Sequence, residues 1–149
     1  MRTDGQRGNF LNLSRLNEQE NIIDNIRFVK GEFQNITMNG QEVYKFAVRE
    51  VPIIINKLLR SIELDVDEID WLILHQANKR ILDAVGERLN IKNEKILSNL
   101  NNYGNTSAGT IPIVIDEYVR NKKIKENDLI LTSGFGAGLS WGAALFRWG

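Results

Sequence analysis

The stretch IPIVIDEYV, Ile111 to Val119, sets the tightest limit on what this chain can fold into. It reads as a helix, with Pro112 tolerable in its first turn. Ile111, Ile113, Val114, Ile115, Tyr118 and Val119 then cover nearly the whole circumference at its start. A helix apolar all round belongs at the centre of a larger body. A chain of 149 residues has trouble covering it on every side. The apolar surface left over predicts self-association, aggregation or the need for a partner body.

The remaining pattern supplies that helix with neighbours. TDGQRGNFLNLS reads as a turn around Gly5–Gly8 and then a short alternating strand from Phe10 to Leu13. Arg15 to Lys30 is polar with scattered isoleucines and reads as a surface excursion. Val43, Phe46, Ala47, Val51, Ile54, Ile55, Leu58 and Leu59 fall at helical spacing, predicting an amphipathic helix from about Gly40 to Ser61. Pro52 inside it should kink or divide it. WLILH, Trp71 to His75, is an apolar run of strand length, expected to be buried on both faces. A helix follows from about Asn78 to Leu89, with Ile81, Leu82, Val85 and Leu89 inward. KILSNL reads as a short strand or extended piece, and NNYGNTSAGT as a polar loop. NDLILTSGFGAGLSWGAALFRW reads as two strands joined by a glycine-rich turn. Mixed α and β elements with long crossovers favour a layered α/β sheet.

Composition removes several classes of function. Charges balance at net zero, against a nucleic-acid protein held by phosphate neutralisation. No apolar run approaches the ~20 residues of a membrane span, and Met1–Gly8 is too polar for a signal peptide, so a soluble protein is expected. There is no cysteine and one histidine. Disulfides, thiolate zinc sites, thiol nucleophiles and multi-imidazole metal sites are therefore outside this chain's reach.

Three stretches can carry chemistry. His75 closes an apolar strand and precedes Asn78, a fair helix N-cap. Active-site groups often sit where a strand ends and a helix begins, yet a satisfied structural histidine sits there equally well. YGNTSAGT offers the Asn105 amide and the Thr106 and Ser107 hydroxyls, or simply a turn capped by Thr106 or Ser107. GFGAGLSWG reads as a turn where strands approach closely; it lacks the GK[ST] ending of a phosphate loop. On residues alone, both readings of His75 stay open.

Taken together, DWLILHQANKRI, NNYGNTSAGTIPIVIDEYVR and GFGAGLSWGAALFRW resemble, in order and spacing, the C-terminal half of ketoacyl-acyl-carrier-protein synthase III. DGQRGNFLNLS and ITMNGQEVYKFAV look like earlier pieces of the same half, so the resemblance spans residues 1–149. The wording is most similar to cyanobacterial and plastid members. The resemblance implies a thiolase-like α/β fold, layered α-β-α-β-α in the intact enzyme, with only the C-terminal half present here. It also implies a cytoplasmic location, in a bacterium or a plastid stroma.

The implied activity is the first step of fatty-acid synthesis, using a Cys–His–Asn triad in which His75 and Asn105 match the histidine and asparagine. The family's cysteine takes an acetyl group from acetyl-CoA. Malonyl on acyl carrier protein then loses carbon dioxide, and the enolate attacks the acetyl thioester. His75 Nε2–H and the Asn105 NH₂ would be the donors that hold the enolate oxygen, each worth about 3–4 kcal/mol. His75 must then be neutral, so activity should fall toward pH ~6.5 and below. Ala137 matches the backbone donor of a second oxyanion hole. Met38, Gly40, Gln41, Tyr44 and Asn78 match positions along the pantetheine tunnel, and Arg80 and Lys45 match positions that receive the acidic carrier protein. Lys45, Lys79, Arg80 and Arg88 read equally well as solvated helix faces, with carrier docking favoured more for Arg80 than for Arg88. The family uses no permanent cofactor or metal, and works as a homodimer on coenzyme A thioesters. Its nucleophile lies in a segment without counterpart here, so the expected partner of this chain is the missing N-terminal half. Three other readings remain: a non-catalytic half-domain that binds carrier protein or regulates a complete synthase, a related Cys–His–Asn condensing enzyme of secondary metabolism, and a gene remnant without function.

Overall fold

A computed structural model describes residues 1–13, 18–23, 26–30 and 35–149. The chain enters through β1 (Arg2–Thr3) and a 3-10 turn, Gly5–Phe10, capped by the Asp4 carboxylate accepting from the Gln6 N–H at 3.1 Å. The strand expected from Phe10 to Leu13 is shorter, β2 (Leu11–Asn12), because the turn runs on through Phe10. The expected surface excursion contains an antiparallel pair, β3 (Glu18–Ile23) and β4 (Ile26–Lys30); residues 15–17 and 24–25 lie outside the described residues. β5 (Thr37–Met38) pairs antiparallel with β2.

Helix α1 spans Gly40–Ser61, with the Asn39 side chain accepting from the Glu42 N–H. Pro52 does not divide it. Proline has no N–H to give the carbonyl four residues earlier, that of Val48. The Arg88 guanidinium donates to that carbonyl at 3.0 Å instead, so the freed acceptor is satisfied. Arg88 is exposed, as a solvated helix face would have it, and its guanidinium also serves that carbonyl. Nine residues of α1 are buried, among them Phe46, Ile54, Ile55 and Leu59. Each large apolar side chain fully buried there is worth about 1.5–3 kcal/mol.

Strand β6 (Trp71–Leu74) follows, with Leu72 and Ile73 both at 0 % exposure, as expected for a strand covered on both faces. Helix α2 (Lys79–Leu89) starts on the Asn78 side-chain oxygen, which accepts from the Ile81 N–H at 2.9 Å. Its inward residues, Ile81, Leu82, Val85 and Leu89, are those the spacing selects. Residues 96–97 are extended: the Leu97 N–H donates to the Leu72 carbonyl at 3.0 Å. The short α3 (Leu100–Tyr103) leads into the polar loop, and α4 (Thr110–Arg120) into β7 (Leu129–Gly136) and β8 (Ser140–Arg147).

One sheet organises these elements, in the order β1-β8-β7-β6. β6 and β7 run parallel; β7–β8 and β8–β1 are antiparallel. Strand alternation divides its side chains between two clusters. Leu72, Leu74, Leu129 and Leu131 join α1 and α2, whereas Ile73 and Ile130 join Leu97, Ile124 and Val114 of α4. The second cluster is thin. In α4 only Thr110 and Val114 are buried, and Ile111, Ile113, Ile115, Tyr118 and Val119 remain partly exposed. Among the described residues no helix is long and apolar enough to cross a membrane.

Candidate active site

The parallel ladder of β6 and β7 carries on one residue past β6, as the His75 N–H donates to the Ser133 carbonyl at 2.8 Å. His75 is thereby held at the carboxyl end of a parallel strand, where α/β sheets place their ligands. Its ring meets Phe135 edge to face, with centroids 5.3 Å apart and planes at 84°. Its Nδ1 lies 2.6 Å from the Thr110 hydroxyl oxygen. Gln76, fully buried, locks the segment behind it: the Gln76 amide donates to the Leu74 carbonyl and accepts from the Ser98 hydroxyl at 2.7 Å. Burial lowers the His75 pKa below its ordinary value, so the neutral imidazole persists further into acid than a free one.

Asn105 arrives from the other side of the site. Gly104, at φ 65° and ψ −155°, turns the chain out of α3 through a region that glycine alone occupies freely. The Asn105 side-chain oxygen then accepts from the Ser107 N–H at 2.9 Å. This fixes the amide: the oxygen is turned inward on the loop, and the NH₂ has no protein acceptor among the described residues. The expected cap by Thr106 or Ser107 is absent, since neither side chain bonds to the helix start. Ser107 instead takes φ +53° and joins the Asn105 turn to the first residue of α4.

His75, Asn105, Met38 and Ala137 line one cavity of about 650 Å³. Leu11, Leu13, Ile36, Ile111 and Phe135 make its wall largely apolar, and His75 is its sole ionisable lining residue among those described. Ala137 sits in the turn between β7 and β8, outside the left-handed region, so its N–H needs no glycine to be presented. Gly138 beside it has φ +141°, and a Cβ there would come within 2.8 Å of the Ser140 backbone nitrogen. Among the described residues no group of His, Cys, Asp and Glu side chains could hold a metal ion.

The other expected residues lie outside that lining. Gly40 and Gln41 are exposed at the start of α1. Asn78 spends its side-chain oxygen on capping α2. The Arg80 guanidinium lies over the Tyr44 ring, 5.0 Å from its centroid, and joins the two helices on the outside. Lys45 donates to Glu42 at 2.8 Å and Lys79 to Asp83. Sequence reasoning passed over Thr110 and Phe135. Thr110 was readable as a hydroxyl at a helix start five positions beyond Asn105, and Phe135 as the aromatic of the glycine-rich tail.

Residues 59–148 match the family model described as 3-oxoacyl-(acyl-carrier-protein) synthase III, C terminal. The chain belongs to that family. A synthase III of Prochlorococcus marinus strain MIT 9515 is 69% identical over 149 residues, all of this chain and 44% of that protein. The synthase III of Nostoc sp. strain PCC 7120 is 56% identical over the whole chain and 45% of its own length. The solved synthase III of Thermus thermophilus superposes with a TM-score of 0.81 at 35% identity, covering 99% of this chain and 44% of that one. That of Aquifex aeolicus gives 0.80 at 35%, covering 99% and 42%. The synthase III family thus supplies the thiolase-like α/β fold seen here, and the chain spans less than half the length of the relatives it matches.

Proposed function

We propose that this chain is the decarboxylating half of a synthase III that condenses acetyl-CoA with malonyl-acyl-carrier-protein to give acetoacetyl-acyl-carrier-protein. The observation that carries the reading is the pairing of His75 and Asn105 in one apolar-walled cavity. Each has its other polar atom already committed: Nδ1 to Thr110, the amide oxygen to Ser107. What remains free is a ring nitrogen and an NH₂, on two residues that line the same cavity.

Such a pair suits loss of carbon dioxide from a malonyl thioester. The bond to the carboxylate breaks, its electron pair moves into the thioester, and negative charge grows on the thioester oxygen. Donors already in place stabilise that charge without reorganising. A neutral imidazole serves better than a cation, because a cation would hold the carboxylate whose charge must leave. The enolate carbon then attacks the acetyl thioester on a cysteine, expelling the thiolate. That cysteine must come from outside these 149 residues, which contain none. The Ala137 N–H, presented at the β7–β8 turn, is assigned to the oxyanion of that second step.

Met38, Gly40, Gln41, Tyr44 and Asn78 are assigned to the path of the pantetheine arm, and Arg80 and Lys45 to the carrier protein's acidic surface. The half-exposed α4 is the seat of the cysteine-bearing half. The whole enzyme is expected to be a cytoplasmic homodimer with no permanent cofactor. Combining the chain with the cysteine-bearing half of the Prochlorococcus marinus relative tests this. Acetoacetyl-carrier should form from acetyl-CoA and malonyl-carrier; a folded complex that makes none contradicts the proposal.

A further inference from the structure

The functional reading above requires the single proton of neutral His75 to sit on Nε2, and the inference here rests on that reading. We propose that the Thr110 hydroxyl is the positioning group that keeps it there. Thr110 opens α4 and is 2 % exposed. Its hydroxyl oxygen stands 2.6 Å from His75 Nδ1 and 3.1 Å from the Ser107 carbonyl oxygen. A hydroxyl has one proton to give, so only one of these contacts can receive it.

Two observations send it to the ring. The Ser107 carbonyl already accepts from the Thr110 backbone N–H and is satisfied without the hydroxyl. The 2.6 Å contact to the ring is also the shorter of the two, against 3.1 Å to the carbonyl. With the hydroxyl donating to Nδ1, a neutral imidazole carries its proton on Nε2. No charged neighbour competes for the choice, since no other described residue lining the cavity ionises.

The turn from Asn105 to Thr110 therefore orients both donors at once. The Ser107 N–H takes the Asn105 oxygen, and the Ser107 carbonyl takes the Thr110 N–H, freeing the Thr110 hydroxyl for His75. A hydroxyl at the first helical residue, between a turn and an imidazole, acts here through His75.

His75 is the sole histidine of the chain, so its two ring nitrogens can be read without overlap in the ¹⁵N-histidine-labelled protein. The wild-type chain and Thr110→Ser should both show the proton on Nε2. Thr110→Val, of nearly equal shape, should move a large share of it to Nδ1. A wild-type ring protonated at Nδ1 overturns the inference even were the valine variant to unfold, and so does a valine variant with its proton unmoved. With the cysteine-bearing half added, Thr110→Val should lower kcat for carbon dioxide release by about tenfold to a hundredfold, the scale seen when a ligand-orienting partner is lost. KM should change little, and Thr110→Ser should recover most of the rate. If valine moves the proton but the rate holds, the positioning stands and the functional reading of His75 falls.

Discussion

Beneath α1 and α2 the sheet buries Leu72, Leu74, Leu129 and Leu131 against Phe46, Ile55, Leu82 and Val85, all closed within this chain. Across the same strands, Ile73 and Ile130 meet a helix whose apolar residues are mostly half-exposed. The strands are identical on both sides, so the difference lies in what covers them. One face was built to be finished locally. The other presents a helix suited to a core larger than this chain provides, and the cavity with His75 and Asn105 opens beside that helix.

Truncations should expose the contrast first. Leu72→Ala or Ile55→Ala, both at 0 % exposure in the closed layer, should cost about 2–5 kcal/mol in a urea melt. Ile115→Ala on α4 should cost well under half of that in the chain alone, and more once the cysteine-bearing half is bound. Equal costs for Ile55→Ala and Ile115→Ala would erase the distinction between the faces.

Arg88→Met sharpens the account of the closed layer. It leaves the Val48 carbonyl opposite Pro52 without a donor, so about 1–3 kcal/mol should be lost. Pro52→Ala in the same background, restoring an N–H for that carbonyl, should recover part of it. A double variant no more stable than Arg88→Met would deny the carbonyl its part.

The smallest effect is a pH effect on the open side. Burial holds the folded His75 pKa below its unfolded value of about 6.5, so the unfolded chain takes up the proton first as pH falls. Stability from this group is complete above that pH and declines as pH drops through and below it. Condensation in the restored enzyme should likewise persist below pH 6.5, lower than an unperturbed histidine would allow. His75→Gln should flatten the stability slope in that window, and an unchanged slope would remove His75 as its source.

How much of this was legible follows the same division. The helix at Gly40–Ser61, the strand at Trp71–Leu74 and the paired strands at the C-terminus all carry their own period, and the structure places them where that period does. The continuity of α1 through Pro52 was not legible, because the compensating donor, Arg88, comes from another helix. His75 and Asn105 stood out as residue types in a resembling order. Thr110 did not, because a threonine at a helix start is ordinary until its hydroxyl is seen against Nδ1. Tertiary contacts, not local pattern, decide such cases.

The most direct test of the two-donor cavity is carbon dioxide release from malonyl-acyl-carrier-protein, measured on the chain joined to a cysteine-bearing half. His75→Ala and Asn105→Ala should each slow release by about 10²–10³-fold, the scale for losing one oxyanion donor, while the cysteine still takes acetyl from acetyl-CoA. Release at the wild-type rate in either variant would contradict the account.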